Sequence, residues 1–98
     1  MSAPVFLGDE LDGIGFRLAG LRSIEPRASS LEDEFQRACA EAPLVILAAS
    51  AAQSLRPEKL RKAILDARPP IAIVREISGL QEPPDMDDEV RTALGVAS

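Results

Sequence analysis

Three features of this 98-residue chain predict an α/β fold built on a parallel sheet. Short apolar runs lie at Pro4 to Leu7, Leu44 to Ala48 and Ile71 to Val74, with a weaker strand signal at Arg22 to Glu25. Helical periodicity of apolar residues lies between consecutive runs, and Gly or Pro marks the joins. Strand and helix in strict alternation call for parallel strands with helices on both faces of the sheet. Right-handed crossovers then restrict the topology without fixing the order; the order expected is 2-1-3-4, with the chain reversing direction between strands 1 and 3.

The first run ends at Gly8 and leads through an acidic loop of Asp9, Glu10 and Asp12 into a helix starting near Leu11 or Asp12. Leu11, Gly15, Leu18 and Ala19 fall at helical spacing, and Gly20 suits the C-terminal cap because glycine accepts positive φ. Two glycines inside so short a helix cost about 1 kcal/mol each relative to Ala. That cost suggests a close approach of helix to sheet, although a loosely wound first turn also accounts for Gly13. The second run has Ile24 as its one strong apolar residue and reads as an edge strand ended by Pro26. Ser29 with Glu32 fits a capping box, with Ser30 and Asp33 as the competing register. From there Leu31, Phe35, Ala38, Cys39 and Ala42 mark one helix face, and Pro43 stops it.

LVILA, Leu44 to Ala48, is the most hydrophobic run and reads as the central strand. Ser50 to Leu55 is a helical turn, with Ser50 as its cap. Pro57 then suits the first position of a longer helix, where its missing N–H matters least. Leu60, Ala63, Ile64 and Ala67 face the core, and Arg56, Lys59, Arg61, Lys62 and Arg68 make the other face basic. Pro69-Pro70 leads into the fourth strand, where Val45, Ile46, Leu47, Ile71 and Ile73 are expected to be largely buried across strands 3 and 4. Residues 1–77 thus form the parallel α/β domain, a small three-layer α/β/α Rossmann-like (CheY-like) unit with a four-stranded sheet. Residues 78–98 form a linker and a C-terminal helix. Asp85 can cap that helix from Met86, and Met86, Val90 and Leu94 give it a narrow apolar stripe. The stripe either folds back on the domain or contacts another protein.

Composition excludes several functions. With 46% hydrophobic residues one core can form, but three Phe and no Trp or Tyr leave no platform for base stacking. A net charge of -5 opposes attraction to nucleic-acid backbones and anionic lipid. The absence of His removes the commonest general base and a favoured metal ligand. Cys39, alone and between two Ala residues in a helical pattern, reads as a buried thiol. No apolar run reaches membrane-spanning length, and nothing resembles a secretory signal, so a cytoplasmic location is expected.

A ligand in such a fold would sit at the carboxyl ends of strands 1 and 3. That crevice is framed by Gly8, Asp9 and Glu10 on one side and Ala49 and Ser50 on the other. Gly13-Ile14-Gly15 supplies only half of a G-x-G-x-x-G fingerprint, because Leu18 stands at the last glycine, and no P-loop is present. Asp9 and Glu10 are placed like the acidic pair of receiver domains, but Ala48-Ala49-Ser50 lacks the phosphate-accepting Asp after strand 3. Asp9, Glu10 and Asp12 read as a solvated acidic loop ahead of a Mg²⁺ site. Neither a cofactor nor a catalytic residue is therefore expected.

The stretch GDELDGIGFRLAGL runs from Gly8 to Leu21, with Gly15, Phe16, Arg17, Leu18, Ala19 and Gly20 as GFRLAG. It resembles the opening of the small central-stalk family designated F in the V-type and A-type rotary ATPases (ATP synthases). LVILA, PPIAIV and the terminal ALGV are similar to the family in order and spacing. Gly13-Ile14 and the proline-rich segment from Ser78 to Asp85 depart from it. The resemblance implies a noncatalytic component of the central rotor stalk. Such a component binds the long coiled coil of the stalk protein designated D. It helps couple ATP turnover to ion transport, on the cytoplasmic side of a membrane-bound complex. The resemblance also implies a C-terminal segment reaching that coiled coil, here Met86, Val90, Leu94 and Val96, with the GFRLAG helix as support. The competing reading is a free-standing regulatory or small-ligand-binding module using the crevice at Gly8, Asp9 and Ser50.

Overall fold

The computed structural model describes residues 3–75, 87, 89 and 90. Its strands are β1 (Val5–Leu7), β2 (Arg22–Ile24), β3 (Val45–Ala48) and β4 (Ile71–Val74), and its helices are α1 (Glu10–Leu18), α2 (Leu31–Glu41), α3 (Ala49–Ser54) and α4 (Pro57–Asp66). All pairings are parallel and the order is β2-β1-β3-β4. β2 is an edge, as its single strong apolar residue predicts. The registers align Val5 with Val45 and Val45 with Ile71, so one alternation runs across the central strands.

That alternation divides the sheet into two faces. Val5, Leu7, Val45, Leu47 and Ile71 join Leu31, Phe35, Ala38, Leu60 and Ile64 of the helices, and Leu55 between α3 and α4, in one buried cluster, with Ile73 packed against it. Leu31, Phe35, Ala38 and Ala42 are buried on the predicted face of α2, and Cys39 is half-buried beside them. On the opposite face Phe6 is fully buried and its ring stacks on Phe16 of α1, centroids 4.4 Å apart at 21°. Ile46 points to this side and is only half-buried; α1 packs there on β1 and β2.

The helix ends show where local chemistry departs from expectation. α1 begins at Glu10, and Asp9 caps it by accepting from the Leu11 N–H at 3.0 Å. Gly20 takes φ +98 just beyond α1, where the N–H groups of Gly20 and Leu21 donate to the Arg17 and Phe16 carbonyls. A 3₁₀ turn at Ala28–Ser30 precedes α2, and the Ser30 hydroxyl donates back to the Arg27 carbonyl, so neither capping-box register forms. Glu32 instead accepts the Arg56 N–H at the head of α4, tying α2 to α4. Ala48 rather than Ser50 occupies the N-cap of α3. Ala67 does not face the core: it is exposed at φ 54, the left-handed cap of α4. The Arg68–Pro69 bond is cis.

Val90 is 1% exposed and belongs to the α2–α4 side of the core. Its N–H is accepted by Asp87 at 2.9 Å, and Arg61 of α4 pairs with Asp87 and Glu89 at 3.2 and 3.6 Å. The Val90 N–H first, and then Arg61, hold the Asp87 carboxyl below its ordinary 3.8. Asp87 thus makes a capping bond of its own to the N–H three residues on. Of the two destinations for the C-terminal stripe, Val90 takes its own domain. Asp85, Met86, Leu94 and Val96 lie outside the described residues.

Burial also governs the one thiol. Desolvation raises the Cys39 pKa from 9.0 to about 11. At pH 8 its alkylation is expected to be many times slower in the folded protein than in urea-unfolded protein, as followed by mass spectrometry. Because the folded state holds this proton more tightly, stability falls as pH rises from 9 toward 11.

Candidate functional site

The crevice at the carboxyl ends of the strands exists. It is a cleft of about 300 Å³ lined by Gly8, Asp9, Glu25, Pro26, Ala28, Leu31, Ser50, Ala51 and Ser54. Gly8 and Asp9 form one wall and Ser50 part of the other, as the topology predicts. Two predicted members do not line it: Glu10 points to solvent, and Ala49 is fully buried at the start of α3. Ser54 lies on the α3 side, its hydroxyl donating to the Ser50 carbonyl at 3.0 Å.

The head of α1 opens on this cleft, yet its first two donors are already taken. Glu25 accepts the Glu10 N–H at 3.0 Å and Asp9 accepts that of Leu11. Those N–H groups are what a phosphate would need at a helix head. Two carboxylates stand in its place and would repel a second anion. Sequence reasoning misses Glu25 here; only the pairing of β2 beside β1 brings it to Glu10, fifteen residues away in sequence.

The acidic loop does not converge on a cation. Asp9 caps α1, Glu10 is exposed, and Asp12 is 7% exposed on the sheet-facing side, where it lines a separate cleft with Phe6, Phe16, Ala48, Val74 and Arg75. Among the described residues no group of three His, Cys, Asp or Glu could hold a metal ion. The reading of Asp12 as a solvated loop residue is therefore corrected: it lies inside α1 and is buried.

The GFRLAG residues separate by role. Phe16 stacks on Phe6, and Gly20 supplies the positive φ that ends the helix. Gly13, outside that motif, makes the close approach to the sheet: a Cβ there would run into the Ser23 Oγ. Gly15 has nothing within 4 Å of such a Cβ, so the sheet does not require it. Arg17, Leu18 and Ala19 lie away from the core. Asp12, Gly13 and Phe16 thus turn to the sheet, whereas Leu11, Ile14 and Leu18 are 61, 46 and 86% exposed. These three are the exposed large hydrophobic residues among those described. The spacing of Leu11 and Leu18 is visible in the sequence, but it marks the outer face of the helix.

Among the described residues no helix is long and apolar enough to cross a membrane. Searches of family models, curated proteins and solved structures find no match to this chain.

Proposed function

We propose that this chain is a noncatalytic binding domain of the F-designated stalk family, a central-stalk component of a V-type or A-type rotary ATPase. In that role it clamps the coiled-coil stalk protein and helps couple ATP turnover to ion transport, on the cytoplasmic side of the membrane-bound complex. The observation that carries the reading is the division within GFRLAG. Phe16 and Gly20 build the domain, while Leu18 and its neighbours Leu11 and Ile14 stand in solvent on a helix held firmly from behind. An apolar helical face held out in this way suits a protein partner better than a small molecule. The occupied donors at the head of α1 argue against a nucleotide at the crevice. Met86, Leu94 and Val96 remain assigned to the partner, and Val90 to the domain core.

Co-expression with the coiled-coil stalk protein of the same genome tests this. A stable complex on size-exclusion chromatography is expected, and calorimetric titration of the chain with ATP and Mg²⁺ should give only heat of dilution. A ligand-binding module is the second reading, favoured by the cleft of about 300 Å³ at Gly8, Asp9 and Ser50. No complex, together with saturable micromolar binding of a small molecule lost in Asp9→Ala, would select that reading instead.

A further inference from the structure

We infer that the outward face of α1 is a docking seam for an apolar-faced helix of a second protein, one that places an acidic side chain beside Arg17 and a basic one beside Glu10. The inference rests on the chain being a noncatalytic binding domain, and it names the surface by which that domain engages. Leu11, Ile14 and Leu18 are spaced by three and four residues, the repeat of a coiled-coil seam. Each is substantially exposed, at 61, 46 and 86%. The opposite side of the same helix is fixed by buried Asp12 and Gly13 and by the Phe16–Phe6 stack, so the stripe is presented on a rigid support. Gly15 flanks the seam in open space. Inside a helix glycine lowers stability, and this one serves no contact with the sheet; beside the seam it lets another helix approach closely.

Charge defines the partner further. Glu10 and Arg17 are both exposed, seven residues apart, on one flank of the stripe. With Leu11 and Leu18 as seam positions they occupy the flanking positions that set partner choice and orientation. An acid beside Arg17 and a base two turns away beside Glu10 satisfy both. A second copy in antiparallel register would also match these charges, but area argues against it. Two nine-residue helices would bury three large side chains per copy, whereas a specific interface engages about 20–30 residues a side. A long helix of another protein extends beyond both ends of α1 and reaches the neighbouring surface.

The full chain and three variants, Leu11→Gln/Leu18→Gln, Arg17→Glu and Arg17→Lys, are titrated against the purified coiled-coil stalk protein, with circular dichroism on each. The double variant should bind more than tenfold more weakly with an unchanged spectrum, since both side chains are exposed. Arg17→Glu should lose affinity severalfold and Arg17→Lys should keep it. If the wild type and the double variant bind equally, this seam is wrong and the proposed function stands. If the wild type does not bind, both fall. A wild-type dimer in sedimentation that the double variant abolishes would assign the stripe to self-association and overturn the inference.

Discussion

Replacing Val90 by Asp is expected to destabilise the whole domain by about 3–5 kcal/mol. The side chain is 1% exposed within the cluster that includes Leu60 and Ile64. A carboxylate there would be desolvated among apolar groups, and the burial of Val would be lost as well. A domain of this size has about 5 kcal/mol to lose, so the variant should keep at most about 2 kcal/mol and populate the unfolded state measurably at 37 °C. Val90→Ala provides the graded control, expected at about 1–2.5 kcal/mol from the cavity it leaves. Asp87→Ala should cost about 1 kcal/mol through the capping bond, with little added by its exposed pair with Arg61. Urea midpoints followed by circular dichroism measure all three. An unchanged midpoint for Val90→Asp would remove Val90 from the core and return it to a partner. If the domain is lost instead, this variant cannot report on partner binding, and the α1 stripe is the surface to probe.

The sheet is legible in the sequence because each strand declares itself locally. Three apolar runs and a weaker fourth, alternating with helices, call for a parallel sheet; the crossover rule narrows its order, the expected β2-β1-β3-β4 is the one observed, and Ile24 alone in its run marks the edge. The α2 face is equally legible, since its apolar residues sit on one stripe and the other side is charged. α1 is not. Leu11, Ile14 and Leu18 form a stripe as regular as that of α2, and periodicity does not say which side of a helix meets the sheet. The true inner face, Asp12, Gly13 and Phe16, is small and polar apart from one ring. Only Gly13, where a side chain would crowd Ser23, hints at it. Glu25 at the head of α1 and Glu32 at the head of α4 are hidden because their partners lie 15 and 24 residues away. Val90 has two destinations in the sequence, and its burial depends on a groove that only the assembled α2–α4 face creates.

Gly8→Ala is expected to cost about 2–3 kcal/mol, through crowding rather than backbone conformation. Gly20 is the described glycine at positive φ; Gly8 is not in that region, so an Ala could adopt its backbone. What it lacks is space. A Cβ at Gly8 would stand 2.6 Å from Phe6 Cζ and 2.7 Å from the Ala48 Cβ. Neither can yield cheaply. The Phe6 ring is fully buried and held against Phe16, and Ala48 ends the central strand. Relief would therefore move β3 away from β1 at the mouth of the crevice, or push the Phe6 ring into α1. Thermal and urea unfolding of Gly8→Ala, Phe6→Leu and the double variant measure the clash. Shortening the ring removes one of the two obstructions, so the double variant should be about 1 kcal/mol more stable than the sum of the single changes predicts. Strict additivity would show that Ala48 alone sets the limit. Gly15→Ala is the opposite control: it adds a Cβ in open space on an exposed helix and should stabilise by about 0.4–1 kcal/mol. A glycine that is costly to the fold at Gly15 and favourable to it at Gly8 separates what the domain needs from what its outer surface tolerates.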